Sequence, residues 1–552
     1  MNAHPAPSPD AVPFPAEFAT RYLAEGAWDR RPLAVAFQAT AARVPERPAV
    51  VCGETTLTYR ELDELSDRRA AGLVALGLPP GSAVLLQLAN SAQAVVVWYA
   101  LLKAGLVPVC TLPLHRGHEI GAIAAQTGPV AHVVDADLPG FDLVSFAVEQ
   151  AGGARHVIAL GARVPEGVVD FATLGEGVTA EEARATVRRV QEGRRPEDIA
   201  VFQLSGGTTG VPKVIPRLHG EYWYNAAQYA RVLGWQETDK IGFNGPFAHN
   251  AGIICGIHGP HSVGAALILG HPTLESLIDV LTRQKATDIV LGAFVYDAAL
   301  HPAMDEATEL KRVIFSGKKV APKHFDAVTS RGVWAGQLFG MGEGLCMVTP
   351  LDAPPSVRAE TVGVPISPYD EVRILEPGGD DPVPEGEPGE LCARGPYTLR
   401  GYYAAPEHNK RAFTPDGFYR TGDLAARRVV DGVVCYTVEG RIKDLINRGG
   451  EKINAEEVEL LLVRHPDIVE AALVAMPDPR LGERACAYVV GRAGARHDIT
   501  AIRAWLESLG VAKYKWPERV VWLDEMPRAS EVGKVDKKVL RRDAEGRTPE
   551  LR

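Results

Sequence analysis

Between Phe202 and Lys213 the chain reads FQLSGGTTGVPK, a short apolar run followed by glycines, hydroxyls and a lysine. That composition suits an anion. Gly206, Gly207 and Gly210 let backbone N–H groups turn toward a phosphate, Ser205, Thr208 and Thr209 add hydroxyl donors, and Lys213 adds positive charge. The spacing departs from G-x-x-x-x-G-K-[ST], which disfavours an ordinary P-loop nucleotidase. Farther on, Glu343 in FGMGEG offers a hard carboxylate oxygen suited to Mg²⁺. Asp423 closes YRTGD at a place from which a carboxylate accepts both hydrogen bonds of a ribose diol. Lys534, in SEVGKVDKK, follows Gly533, where backbone can approach a ligand closely. Taken singly, each has a plainer reading: a surface loop, a surface acid, a turn cap, a solvated lysine.

The elements that must position these residues follow from periodicity. At 552 residues the chain exceeds the size of a single hydrophobic core, so at least two domains are expected. TYRELDELSDRRAAGLVALGL has helical spacing and is followed by the turn PPGS and the buried-strand run AVLLQLAN. The alternation continues through AVVVWYALLKAGLVPVC, AHVVDAD and HVIALG, which predicts an α/β fold with a doubly wound parallel sheet in the first third. Apolar runs at 265–269 and 288–291 predict a second such sheet in the middle third. Beyond Asp370, EVRILE, GELCARG and GVVCYTV read as short alternating strands of a small β-rich subdomain. From Asn454 helix and strand alternate again, enough for a compact α+β domain of about 100 residues. The boundary is expected near Arg441 to Asp444, dividing 1–440 from a mobile 441–552.

Hydrophobic residues make up 46% and charged residues 23%, ordinary for a globular protein, and the net charge of −10 disfavours nucleic acid and anionic membranes as partners. Seven cysteines show no C-x-x-C spacing, which fits reduced thiols in the cytoplasm. The start, MNAHPAPSPDAVPFP, lacks a signal peptide's basic and apolar regions and reads as a loose arm.

SGGTTGVPK, followed in order by FGMGEG at 339–344, YRTGD at 419–423, GRIKDLINRGGEKI at 440–453 and GKVDKK at 533–538, resembles the adenylate-forming superfamily of acyl-CoA synthetases, peptide-synthetase adenylation domains and luciferases. The resemblance spans essentially the whole chain. It implies that ATP and Mg²⁺ are used to turn a carboxylic acid into an acyl-AMP. By the same resemblance Glu343 is the metal ligand, Phe339 stacks on adenine, and Gly317, Leu338, Gly340 and Gly342 line the nucleotide site. Many relatives carry alanine where Gly342 stands. Asp423 is the ribose ligand, Arg441 assists it, and Lys443 lies at the domain hinge. Lys534 becomes the catalytic lysine, contacting the carboxylate and the α-phosphate. A lysine so placed reaches the nucleotide only if the small domain folds over the large one. Rotation about the hinge would then present the segment from Arg448 to Lys452 to an incoming thiol.

PFAHNAGIIC at 246–255, with the upstream IPRLHGEYWYN, resembles stand-alone aryl-acid AMP ligases, and RGPYTLRGYYAAPEHN strengthens that likeness. Amino-acid-activating relatives place an aspartate here for the substrate ammonium. Asn250 instead suits a neutral or ortho-hydroxylated ring, since an amide both donates and accepts. His249 resembles the residue lining the path of carboxylate and thiol, and Cys255 gives shape rather than chemistry. Salicylate-like acids lead. Ala251, Gly252, Ile253 and Ile254 are smaller than usual, and Ser316-Gly317-Lys318 replaces the common wall, so hydroxyanthranilate, hydroxypicolinate and quinaldate-type acids stay open. The expected acceptor is the phosphopantetheine thiol of a separate aryl or peptidyl carrier protein, with free coenzyme A as the alternative.

Overall fold

The computed structural model describes residues 10–150, 156–205, 212–448, 451–528 and 535–547. Its first large sheet has seven strands in the order Val169–Asp170, His156–Leu160, Ala131–Asp135, Ala83–Gln87, Val107–Val109, Ile199–Leu204 and Val214–Leu218. All neighbours are parallel except the last pair, which is antiparallel and turns through the glycine-hydroxyl loop.

The second sheet has nine strands, with Trp334–Gly340, Arg312–Ser316, Asp288–Gly292, Lys240–Phe243 and Ala266–Leu269 as its parallel centre. It is not confined to the middle third. Pro48–Cys52 pairs in parallel with Ala266–Leu269, and Thr55–Thr58 forms the edge. The early strand crosses because parallel neighbours need not be close in sequence, and Val50 finds full burial beside Leu267.

Between the sheets runs the helix Ala92–Lys103, capped by Ser91 and, between Gln93 and Lys103, apolar on every side. Such a helix has no solvent face to offer, so it fills the interior. The helix Tyr59–Ala75 begins in a capping box, Thr58 and Glu61 each satisfying the other's backbone N–H. A four-stranded antiparallel sheet, Glu371–Leu375, Gly389–Arg394, Tyr419–Val430 and Val433–Arg441, follows. After the turn Ile442–Asp444 a five-stranded sheet forms from Glu451–Asn454, Leu445–Arg448, Gly482–Gly491, Ile468–Asp478 and Arg519–Leu523, accompanied among the described residues by three α-helices. Among the described residues no helix is long and apolar enough to cross a membrane.

The arm expected to be loose is held from residue 10 onward. The Asp10 carbonyl accepts the Ala404 N–H at 2.9 Å, and Phe14 meets Trp28 edge-on at 4.8 Å. Arg400 lies over the Phe14 ring at 4.4 Å, and the Trp28 indole donates to the Pro396 carbonyl at 2.7 Å. Proline-rich sequence conceals this because the partners lie nearly four hundred residues away.

Lys103 is completely buried, its Nζ 2.5 Å from Asp63 and 2.6 Å from Asp67, with Arg184 closing the far side of both carboxylates. Lys103→Met would leave two acids facing each other without their buried cation, with only the partly exposed Arg184 between them. We expect a loss of about 3–5 kcal/mol, read as a lower calorimetric unfolding midpoint; an unchanged midpoint would refute the pairing as a support.

Candidate active site

Ser205 closes the base of the glycine-hydroxyl loop. Its backbone N–H donates to the Lys213 carbonyl at 2.9 Å and its Oγ accepts the Lys213 N–H at 3.0 Å. Gly206, Gly207, Thr208, Thr209 and Gly210 lie outside the described residues, as does Lys534. The Lys213 ammonium sits 5.1 Å from the centre of the Tyr402 ring, a cation–π contact.

Tyr402 leads directly to Glu343. Its hydroxyl donates to Glu343 Oε1 at 2.7 Å and lies 2.8 Å from the Tyr419 hydroxyl. Burial first, and the Glu343 charge second, raise the Tyr402 hydroxyl far above its usual range, so it remains a donor. Among the described residues Glu343 Oε2 accepts no hydrogen bond, which leaves one hard oxygen of the carboxylate open. Gly344, at φ +131°, has the Tyr397 carbonyl where a Cβ would stand, 1.9 Å away. Only glycine lets the turn carrying Glu343 press so close to the 395–402 segment.

Leu338, Phe339 and Gly340 end the strand that bears this turn, and the parallel register Ser316↔Leu338 sets Gly317 beside them. Gly317 takes φ +107°. Both features fall at the carboxyl ends of parallel strands, where open α/β sheets form their ligand crevices. Lys318 turns outward, its ammonium 5.6 Å from the Tyr296 ring centre and its carbonyl accepting the Tyr296 hydroxyl at 2.9 Å.

Asn250 opens the helical turn that becomes the π-helix Gly252–His258. Its Oδ1 accepts from Arg217 at 2.9 Å and from the Tyr222 hydroxyl at 3.0 Å, and its Nδ2 donates to the Met341 carbonyl at 3.2 Å. Arg217 is 1% exposed and meets Glu221 through two bonds of 2.9 and 2.8 Å. It also donates to Asn225 and to the Gly342 carbonyl, both at 3.2 Å. Glu221 holds it protonated against the cost of burial. A Cβ on Gly342 would meet the Ile215 side chain at 2.9 Å, a contact that asks that flexible end to move. His249 is half-buried just before Asn250, its N–H on the Pro246 carbonyl at 3.1 Å. Cys255 is buried within the π-helix, and burial pushes its thiol up to about 12, so it contributes volume and no nucleophile.

Asp423 and Arg441 are opposite each other across Tyr419–Val430 and Val433–Arg441, with Arg441 Nε 2.6 Å from Asp423 Oδ1. Lys443 follows in the turn between the sheets. Burial, with Arg441, Arg541 and Lys538 nearby, brings its ammonium down to about 8 despite Asp444. Across this turn the small domain touches the large one: the Lys319 N–H points to Glu456 at 3.5 Å, and Asn454 donates to the Glu439 carbonyl. The ends of the segment holding Lys534 are anchored, Arg528 to Glu470 at 2.7 and 2.8 Å and Lys537 to Glu459 at 2.7 Å.

Sequence reasoning passed over Arg217, Glu221, Tyr402 and Tyr419. The charges four apart in RLHGE were a signal for the first pair. RGYY carried no chemical signal for the tyrosine that orients Glu343.

Residues 37–403 match the AMP-binding enzyme family, and 457–534 match the AMP-binding enzyme C-terminal domain. A salicylyl-CoA synthase / salicylate adenylyltransferase of a Streptomyces species is 41% identical over 96% of this chain and 97% of its own length. A salicyl-AMP ligase / salicyl-S-ArCP synthetase of Mycobacterium tuberculosis is 38% identical, covering 97% and 95%. The apo structure of MbtA from Mycobacterium smegmatis superimposes with a TM-score of 0.71 at 36% identity, over 97% of this chain and 98% of that one.

Under the 395–402 segment lies Asp370, whose Oδ2 accepts the Tyr397 hydroxyl while Oδ1 is buried with no partner among the described residues. Burial raises its carboxyl to about 7. The native state therefore keeps a proton that the unfolded chain gives up near pH 4, so this contribution to stability is complete below pH 4 and lost as pH rises through 7. We expect Asp370→Asn to flatten that decline, so that its thermal midpoint falls less than the parent's between pH 5 and pH 8. Equal falls would show the group to be ionised throughout.

Proposed function

We propose, for a chain that belongs to the AMP-binding enzyme family, ATP-dependent adenylation of an aromatic carboxylic acid and transfer of the aroyl group to a thiol. The observation that carries this reading is the junction at Arg217. It joins the strand leaving the phosphate loop to Asn250 of the acid pocket and to the carbonyl of Gly342, next to Glu343.

In the first half-reaction a carboxylate oxygen attacks the α-phosphorus of ATP, and the bond to pyrophosphate breaks. The base of the loop at Ser205 and Lys213 positions the phosphates, Asp423 with Arg441 takes the ribose, and Phe339 takes the adenine. Lys534 would neutralise charge gathering between the carboxylate and the α-phosphate. The open Oε2 of Glu343, with Oε1 fixed by Tyr402, fits Mg²⁺, whose charge when bound would offset that of the phosphates. In the second half-reaction the thiol sulfur attacks the acyl carbon and AMP departs. We assign the acid and nucleotide sites to 1–440 and Lys534 to 441–552, with Lys443 in the hinge.

The relatives named for salicylate support a salicylate-like acid. The small side chain of the half-buried Ala251 supports tolerance of a further ring substituent. The preferred acceptor is the phosphopantetheine arm of a separate aryl or peptidyl carrier protein, after the relative that loads one. Coenzyme A is the second reading, favoured by the relative named as a salicylyl-CoA synthase. Seven free thiols fit a cytoplasmic setting.

Pyrophosphate exchange with a panel of acids, then loading of a carrier set against coenzyme A, tests the reading. Salicylate and its ring-substituted or bicyclic analogues should drive exchange; stimulation by fatty acids alone would overturn it. Lys534→Ala should cut exchange by about 10²-fold or more with an unchanged circular dichroism spectrum, and Tyr402→Phe should raise the KM for Mg·ATP about tenfold through a misdirected Glu343.

A further inference from the structure

The small domain brings together two imidazoles and a carboxylate that the adenylation chemistry does not use. His465 and Asp467 occupy the turn joining helix Ala455–Leu462 to strand Ile468–Asp478, and His497 comes from the approach to helix Ile499–Ser508. One ligand atom from each lies within 4.8 Å of the others, and all three residues are half-buried. His497 Nε2 is 2.9 Å from Asp467 Oδ2, and the two histidine rings are 4.9 Å apart.

The surroundings hold these groups in place. Asp467 passes its carbonyl to Arg492 N–H at 2.8 Å, and its own N–H goes to His465 Nδ1 at 3.2 Å. Trp522 donates to the His497 carbonyl at 2.8 Å and packs near its ring, and Trp505 stands edge-on to His465 at 5.1 Å. The rings thus have apolar walls on one side and water on the other. Nearby cations are engaged elsewhere: Arg496 pairs with Asp524 at 2.9 Å, and Arg492 Nε donates to the Pro466 carbonyl at 3.1 Å.

The geometry points to a transition-metal site of the two-histidine, one-carboxylate kind, taking Zn²⁺ or a chemically similar divalent ion. Imidazole donors favour such ions over Mg²⁺ and Ca²⁺, which seek all-oxygen shells. Metal–ligand bonds near 2.0–2.2 Å place donors roughly 3.3 Å apart, so side-chain rotation alone closes the present spacing. Position defines the role. The cluster lies at the Ile468 and Gly491 ends of the long hairpin, whereas the opposite end, at Gly482, pairs with Arg448 beside the thiol-facing segment. The ion would fasten the 465–467 turn to the 495–498 segment and stabilise the domain that carries Lys534 without entering the reaction.

The test uses the full-length chain without a histidine tag, freed of metal and held in excess Mg²⁺ so that carboxylate sites are occupied. Equilibrium dialysis against micromolar Zn²⁺, with elemental analysis, should find one equivalent bound, and Co²⁺ in its place should give visible d–d absorption. The thermal midpoint should rise with Zn²⁺ as ligand linkage requires. His465→Ala with His497→Ala should abolish both signals while leaving pyrophosphate exchange under Mg²⁺ intact, and the milder His497→Gln and Asp467→Asn should each weaken binding by at least about tenfold. Undiminished Zn²⁺ binding in these variants, or none in the parent chain, would overturn the assignment.

Discussion

A guanidinium has five N–H donors in one plane and keeps its proton in any protein interior, so burying one obliges the surrounding chain to supply five acceptors in fixed directions. Arg217 is buried in this way, and its five bonds fall on Glu221 twice and on Asn225, Asn250 and the Gly342 carbonyl once each. Those acceptors come from three separate stretches of chain: a helix packed on the first sheet, the entry to the π-helix, and the turn that bears Glu343. The strand that follows the glycine-hydroxyl loop, the entry to the π-helix and the turn bearing Glu343 are therefore mutually registered by one side chain. An unmet donor at such depth costs more than an ordinary hydrogen bond returns, so the three stretches tend to move together or not at all.

A second layer of order surrounds Glu343. Tyr402 fixes one carboxylate oxygen, and the segment carrying Tyr402 is itself held by the N-terminal residues through Asp10, Phe14 and Trp28. The opening residues of the chain thus act on a site three hundred positions later. At the other end, Asp444 meets Arg541 while Lys537 reaches Glu459, so the turn Ile442–Asp444 and the helix Lys537–Glu545 share one set of charges.

How much of this was legible depended on whether the chemistry was local. The glycine-hydroxyl loop, FGMGEG and YRTGD could be singled out because each gathers its glycines and polar groups within a dozen residues, although taken singly each also had a plainer reading. The alternation of helix and strand was likewise readable, down to the apolar run that becomes the helix Ala92–Lys103. Arg217 was passed over: its pairing with Glu221 was signalled locally, but Asn250 and the Gly342 carbonyl reach it only in the assembled fold, and an arginine in a strand ordinarily reads as surface. The strand Pro48–Cys52 was also missed as a member of the second sheet, because its partner Leu267 stands over two hundred residues away and parallel pairing leaves no local mark. The arm before Ala16 looked unstructured for the same reason: its proline content speaks about the isolated peptide, while its aromatic contacts belong to the finished fold.

The way Asn250 is held also bears on how readily a pocket of this kind changes its diet over evolutionary time. Both lone-pair directions of its oxygen are already taken, by a buried cation and by a phenol. A carboxylate arriving at that position would be drawn to the cation within the protein before it met any ammonium on an incoming molecule. Conversion to amino-acid use by a single replacement would be frustrated, and lineages that crossed this divide would have had to surrender the arginine as well.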